Sequence, residues 1–210
     1  MKTFFAFTLA EVLITLGIIG VVAEMTIPTL MNNVQDQVYK TAYKQAYSSL
    51  SQALIMATND DVLKSPTGPY DSQQMDNFKT IMSYFKVVKT CYDNTDNSQC
   101  WQNGGEGWNS SSRGNGYPLV TDLAVIDNSG MNWANVAGGY AAFFFVDTNG
   151  LKKPNQMGKD RFMMIMPDAT GNRQSGIPVK VVTDDDNTYY SCIYNKCATE
   201  HNYYATSWIH

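Results

Sequence analysis

Glu11 is the residue in this chain whose chemistry most needs an explanation. It is the only charged side chain among the twenty residues from Phe4 to Ala23. A carboxylate near the centre of a bilayer costs at least ~2.5 kcal/mol, so an acid in such a segment needs a cationic partner. If the chain is cut between Ala6 and Phe7, the new α-ammonium group lies four residues from Glu11, about one helical turn. The segment therefore predicts an amine–carboxylate pair.

The segment that carries Glu11 has the length of a membrane span. As a helix rising ~1.5 Å per residue, it covers the ~30 Å hydrocarbon core of a bilayer. A secretory signal peptide that ends at Val21-Val22-Ala23 and an uncleaved single-pass anchor are alternatives, but neither gives the acid a role. A buried core helix of a soluble protein is a third alternative, which this length and position do not favour. We therefore expect the chain to start in a membrane.

The residues that follow predict an amphipathic helix. Apolar side chains recur mostly at i, i+4 spacing, at Val34, Val38, Ala42, Ala46, Leu50 and Leu54. Pro28 removes one backbone hydrogen bond and clashes with the preceding turn, so we expect a kink or a melted stretch between Glu24 and Pro28. The helix should end near Asn59 to Asp61, and its apolar face should pack on the rest of the chain.

A stretch in the second half of the chain combines oxygen ligands with turn residues. Asp147, Asn149 and Asp160 supply hard oxygens of the kind that Ca²⁺ binds. An Asx turn, in which an aspartate side chain accepts local backbone N–H groups without any ion, explains the same residues. The flanking runs, Tyr140 to Val146 and Arg161 to Met166, have strand composition. A long hairpin connection is therefore expected, with or without calcium.

The four cysteines form two close pairs, for which local disulfides are the preferred interpretation. Eight residues separate Cys91 from Cys100, and four separate Cys192 from Cys197. Such short loops close at small entropic cost, and an exported domain meets an oxidising compartment. A metal site is the alternative, but neither pair has CxxC spacing and the two histidines, His201 and His210, are not spaced with them as ligands would be.

Composition and motifs exclude several classes of function. The net charge is −4, and Lys and Arg are scattered, so nucleic acid is not an expected partner. No G-x-S-x-G, H-E-x-x-H or phosphate-binding glycine motif is present, so the chain is not predicted to be an enzyme. Trp101, Trp108, Trp133 and the tyrosines near the C-terminus fit either a glycan- or protein-binding surface or plain core packing.

Two parts of the sequence resemble one protein family. The run Ala6-Phe7-Thr8-Leu9-Ala10-Glu11, followed by apolar residues, resembles the start of type IV pilins and type II secretion pseudopilins. The stretch from Asp147 to Phe162 resembles the DxNGxxxPNxxGxDxF pattern of pilin-like proteins that share this N-terminal segment. The resemblance covers roughly the first sixty residues and the region from Tyr140 to Met166.

The resemblance implies a processing pathway and a set of partners. A prepilin peptidase would cleave between Ala6 and Phe7 and methylate the new N-terminus at Phe7. Glu11 would then pair with the N-terminus of a neighbouring subunit during filament assembly. Partners would be homologous pilin or pseudopilin subunits and the membrane platform of the secretion or pilus machine. Some family members hold calcium in a loop near the C-terminus.

The resulting expectation is a pilin-like α+β fold, with a long kinked N-terminal helix on an antiparallel sheet of about four strands. Residues 1–6 would be the leader, 7–29 the membrane and filament-core part, 30–61 the amphipathic part and 62–210 the head. The precursor would cross the bacterial cytoplasmic membrane once, with its head outside, and later join a surface or periplasm-spanning filament. The alternative is a membrane-anchored adhesin or glycan- or protein-binding module that does not polymerise.

Overall fold

Two helices are followed by strands of an antiparallel sheet, which gives the expected α+β class. In the computed structural model these are α1 (Leu9–Asn59), α2 (Ser72–Ser83), β1 (Val87–Cys91), β2 (Leu123–Asp127), β3 (Asn132–Asn135), β4 (Phe143–Asp147), β5 (Arg161–Ile165) and β6 (Val182–Thr183). The structure describes residues 8–67, 72–92, 98–102, 123–135, 143–155, 160–171 and 176–183. The predicted cleavage junction, Ala6 and Phe7, lies outside these ranges.

The chain divides into two compact units, Met1–Val38 and Tyr39–His210. In the first unit, the apolar side chains of α1 are largely exposed, including Leu13, Ile14, Leu16, Ile18, Ile19, Leu30 and Val34. Within the described residues, α1 is the one helix long and apolar enough to cross a membrane. By length and composition it is therefore a candidate membrane anchor or signal.

Helix α1 continues without a break through Pro28. The melted stretch expected between Glu24 and Pro28 is therefore not present. Proline lacks only its own N–H, so one hydrogen bond of the helix is lost while its neighbours remain. The kink at Pro28 stays a prediction.

The second unit buries one face of α1, formed by Tyr43, Ala46, Leu50, Ala53, Leu54 and Ala57. These residues follow the three- and four-residue spacing of a helix face. Val34 and Val38, the first two members of the predicted stripe, are instead 56% and 59% exposed. Periodicity identifies which side chains share a face, but it does not say how far along the helix that face is covered.

Helix α2 was not predicted from the sequence. It buries Phe78, Ile81 and Met82 in the core of the second unit. The side chain of Asn77 makes two hydrogen bonds to the preceding loop. Its Nδ2 donates to the Lys64 carbonyl at 2.8 Å, and its Oδ1 accepts the Lys64 N–H at 2.8 Å. The loop after α1 is therefore held to α2 by hydrogen bonds of the kind that backbone pairing makes.

The sheet is a meander in which spatial order follows chain order from β1 to β6. Every neighbouring pair is antiparallel. Six strands therefore replace the expected four within the described residues, because β1 to β3 come from a region without a recognisable pattern and β6 has only two residues. Ring contacts join the helices to the sheet, with centroids 4.4 Å apart for Tyr43 and Phe162 and 4.9 Å for Phe78 and Phe144.

The covered and uncovered faces of α1 give a matched test. Leu54 is 1% exposed and the next residue, Ile55, is 56% exposed. We expect Leu54→Ala to lower the free energy of unfolding by ~2–5 kcal/mol, because it leaves a cavity in the core. Ile55→Ala should change it by less than about 0.5 kcal/mol. Denaturant unfolding of the full chain in detergent micelles, followed by tryptophan fluorescence, measures both; equal effects would contradict this packing.

Candidate functional site

Thr8 and Glu11 form a capping box at the start of α1. The Thr8 N–H and hydroxyl donate to Glu11 Oε2 at 2.9 and 2.8 Å, and the Glu11 N–H donates to Thr8 Oγ1 at 3.3 Å. This reciprocal arrangement satisfies N–H groups that a helix start otherwise leaves without partners. Glu11 therefore has a local structural role that was not predicted from the sequence, although the Thr-x-x-Glu spacing is the signal for it.

The same contacts hold the Glu11 carboxylate at the first turn of the helix. The aligned peptide dipoles place partial positive charge there, which favours a carboxylate. The residue before Thr8 is Phe7, where the predicted cleavage would create an α-ammonium group. The capping box therefore keeps the acid near the position at which a processed chain would begin.

A second polar cluster lies across one end of the sheet. Register pairs Asn132 with Asp147 and Asp147 with Arg161, and Asp127 ends the adjacent strand. All four side chains are buried. Polar groups in such a position need internal partners, since water cannot supply them.

Asp147 and Arg161 form a buried ion pair between the last residue of β4 and the first residue of β5. Arg161 Nε donates to Asp147 Oδ2 at 2.7 Å, and both side chains are 1% exposed. Arg161 Nη2 also donates to the Gln102 carbonyl at 2.7 Å, and the guanidinium carbon lies 4.7 Å from the centre of the Trp101 ring. The planar guanidinium thus uses a carboxylate, a carbonyl and an aromatic face together.

Asp160 holds the two sides of the β4–β5 loop, residues 148–160, of which 156–159 lie outside the described residues. Its Oδ2 accepts Asn149 Nδ2 at 2.9 Å and the Asn155 N–H at 2.8 Å. Its carbonyl accepts the Thr148 N–H at 2.7 Å. Asn155 also donates from Nδ2 to Gln102 Oε1 at 2.8 Å, so the segment around Trp101 contacts the loop at Asn155 and the start of β5 at Arg161.

The three predicted calcium ligands are thus brought together, and each contacts another residue of the protein, although Asn149 Oδ1 has no hydrogen-bond partner among the described residues. Asp147 pairs with Arg161, and Asn149 donates to Asp160. The Asn149 N–H donates to Asp147 Oδ1 at 3.3 Å, as in an Asx turn. Within the described residues, no group of three or more His, Cys, Asp or Glu side chains is arranged to hold a metal ion. The Asx turn accounts for these contacts, and calcium binding stays a prediction.

Among the residues that the structure describes, the Asp147 turn is one of three similar turns, which share the sequence Asp-x-(Ser/Asn/Thr)-Gly. They span 127–130, 147–150 and 168–171. In each, aspartate Oδ1 accepts the N–H two residues later, and the aspartate carbonyl accepts the glycine N–H. The glycines Gly130, Gly150 and Gly171 have φ of 84°, 77° and 85°. Only the second turn was predicted from the sequence, although the repeated Asp-x-x-Gly spacing is a signal for all three.

Two of these turns contact each other at the polar end of the sheet. A Cβ added at Gly150 would lie 2.8 Å from the Gly130 carbonyl oxygen, whereas one added at Gly130 would meet nothing within 4 Å. Gly150 therefore needs glycine for two reasons, its positive φ and this close approach.

The remaining predicted residues have mixed outcomes. Cys91 and Cys100 form a disulfide, as expected. Trp101 and Trp133 are buried, which confirms core packing over an exposed binding surface for these two. Cys192, Cys197, His201, His210 and Trp108 lie outside the described residues. Comparisons with protein-family models, with curated proteins and with solved structures gave no match.

Burial dominates the acid–base behaviour of Asp147. Desolvation raises the pKa of its carboxyl from 3.8 to about 7, although the Arg161 guanidinium lowers it. The nearby Asp160 carboxylate adds to the increase. The folded chain therefore keeps a proton on Asp147 in a pH range where the unfolded chain has lost it.

The contact between the two turns gives one test. Gly130→Ala should cost ~1–2 kcal/mol of unfolding free energy, because alanine is strained at positive φ. Gly150→Ala should cost more, by a further ~1–3 kcal/mol, because its methyl group must displace a backbone carbonyl. Denaturant unfolding of both variants in detergent micelles compares them; equal losses would show that the turns do not touch as described.

The pKa of Asp147 gives a second test. As pH rises from about 4 to about 7, the free energy of unfolding of the wild-type chain should fall relative to that of Asp147→Asn. The slope should be up to ~1.4 kcal/mol per pH unit. Below that range Asp147 is protonated in both states, so the difference should be level. Unfolding curves at a series of pH values measure it.

The sign of this slope is diagnostic. If the wild type instead gains stability relative to Asp147→Asn as pH rises, attraction to Arg161 outweighs burial, and the pKa of Asp147 lies below its ordinary value.

Proposed function

We propose that this chain is a structural subunit of a type II secretion pseudopilus or a type IV pilus-like filament. The supporting observation is a difference in exposure between two parts of α1. Within the first unit, α1 exposes apolar side chains on all sides, whereas Tyr43 to Ala57 contribute one face to the core of the head. Exposed apolar surface costs ~25 cal/mol per Å² in water, so the first part of the helix needs lipid or other apolar helices around it.

A membrane-anchored precursor that later polymerises meets this need at both stages. In the precursor the apolar helix lies in the cytoplasmic membrane, with the head outside the cytoplasm. After a prepilin peptidase cleaves before Phe7 and methylates it, apolar helices of neighbouring subunits surround one another in the filament core. The resemblance of residues 6–11 and 147–162 to pilins and pseudopilins supports this sequence of events.

In this proposal Glu11 neutralises the Phe7 ammonium of a neighbouring subunit. Such a pair is stronger in apolar surroundings than at a surface, but the desolvation of both charges offsets much of the gain. The pair therefore fixes the axial register of subunits more than it stabilises the filament. The capping box is a competing explanation for the same carboxylate, because it needs Glu11 only as a hydrogen-bond acceptor.

The head has a non-catalytic role in the proposal. It presents the subunit surface outside the membrane, to other subunits and to the membrane platform. Its disulfide suits an oxidising compartment, and its buried polar cluster includes groups that pair with one another, Asp147 with Arg161 and Asn149 with Asp160.

Three variants separate the charge of Glu11 from its capping role. Glu11→Gln keeps an acceptor for Thr8 and removes the charge, whereas Thr8→Ala removes the side-chain cap and keeps the charge. We expect Glu11→Ala and Glu11→Gln to insert into membranes but to lose most assembly, and Thr8→Ala to assemble. Shearing cells and measuring high-molecular-weight chain in the supernatant gives the readout. Normal filaments from Glu11→Gln would refute the charge pair.

N-terminal mass spectrometry of the same fractions tests the proposed identity itself. A terminus at N-methylated Phe7 in sheared material supports a filament subunit. An intact Met1 confined to the membrane fraction would indicate an anchored adhesin or binding module, and a start at Glu24 an ordinary secreted protein. Either result would overturn the proposal.

A further inference from the structure

We infer that the Cys91–Cys100 disulfide controls the order of the β4–β5 loop, by holding Trp101 and Gln102 against Arg161 and Asn155. This inference concerns the head alone and holds whether or not the chain polymerises. The disulfide would thus order one particular loop of the fold, in addition to its general effect on chain entropy.

The disulfide fixes a short segment, residues 98–102, to the edge strand β1. Cys91 is the last residue of β1, and Cys100 is fully buried. A surface hydrogen bond also joins the segment to β1, since Lys89 Nζ donates to Gln99 Oε1 at 2.6 Å. Exposed hydrogen bonds of this kind contribute little, whereas the disulfide is a covalent attachment to β1.

The two residues after Cys100 make the contacts that matter for the loop. The Trp101 ring faces the Arg161 guanidinium at 4.7 Å, and Gln102 accepts Arg161 Nη2 at 2.7 Å through its carbonyl and Asn155 Nδ2 at 2.8 Å through Oε1. Trp101 and Arg161 are each 1% exposed. The disulfide and these contacts are therefore adjacent in the chain, and one cannot move far without the other.

Losing the segment would remove acceptors from buried donors. Arg161 would lose its carbonyl and aromatic partners, and Asn155 would lose its side-chain acceptor. A buried donor without an acceptor is penalised by its full desolvation, and a buried charge more so. The loop would relieve this by opening toward water, which would also break the contacts of Thr148 and Asn155 with Asp160.

Disulfide formation would thus complete the loop in the oxidising compartment. The thiolate of one cysteine attacks the disulfide of a thiol–disulfide oxidoreductase or of oxidised glutathione, which forms a mixed disulfide and releases one thiol of the oxidant. The thiolate of the other cysteine then attacks the first cysteine's sulfur in the mixed disulfide, which forms the Cys91–Cys100 bond and releases the oxidant's second thiol. The two electrons and two protons from the cysteine thiols convert the oxidant to two thiols.

Hydrogen exchange on the full chain in detergent micelles tests the inference, with a matched control. We compare Cys91→Ala/Cys100→Ala with Cys192→Ala/Cys197→Ala, which leaves the first disulfide intact. In the first variant, peptides covering 143–155 and 160–165 should exchange about tenfold faster, while α2 changes much less. The control variant should leave the loop peptides unchanged. An unchanged loop in the first variant, or an equal increase in α2, would overturn the inference.

Trp101→Leu distinguishes this coupling from general loss of stability. With the disulfide intact, this variant should also speed exchange of the loop about tenfold. Combined with Cys91→Ala/Cys100→Ala, it should add little, because both changes break the same contact. If the combined variant instead speeds exchange of the loop about a hundredfold, the two effects multiply. The disulfide and Trp101 would then act independently, which would refute the inference. If the cysteine variant does not fold, Trp101→Leu decides alone, and an unchanged loop overturns the proposal.

Discussion

The buried guanidinium of Arg161 is the constraint around which this end of the head is organised. A cation removed from water is tolerated only when several groups face it, and three of its partners here come from two places in the chain. Asp147 ends β4, while Trp101 and Gln102 follow the disulfide-bonded Cys100. The adjacent loop is closed by Asp160, and the Asp147 turn contacts the Asp127 turn through their glycines. These features lie at the same end of the sheet as the arginine and its partners.

At the start of α1, an acidic side chain is likewise held in place by hydrogen bonds within the chain. Glu11 completes the first turn of α1 through Thr8, so its carboxylate is ordered before any partner arrives. In our proposal this order has functional value, because a carboxylate that already points along the helix start loses less side-chain entropy when a neighbouring ammonium binds it. Capping and assembly are therefore compatible uses of one side chain.

Local sequence patterns predicted the parts of the fold that local physics determines. The end of α1 near Asn59, strands β4 and β5, and the Cys91–Cys100 pairing depend on residues close together in the chain. Helix α2 was missed because polar residues dominate its first turn, although Phe78 and Met82 lie four apart. The partners of Arg161 could not be predicted, because Gln102 is 59 residues away and nothing in either sequence context identifies the other. Contacts between residues this far apart in the chain are determined by tertiary packing and not by local sequence patterns.

The meander has a consequence for how the head is made. Each strand from β2 to β6 pairs with the strand that precedes it, so a chain delivered with its N-terminus first always offers a newly arrived strand an existing template. Loop closure is short between β2 and β3 and between β3 and β4, which favours fast folding, and pairing in chain order leaves few unpaired edges exposed during synthesis. The bond from Tyr47 Oη to the Val181 carbonyl, which joins residues 134 apart, can form only after nearly all of the sheet is present. We therefore expect this hydrogen bond to form late in folding, after the strands of the sheet have paired.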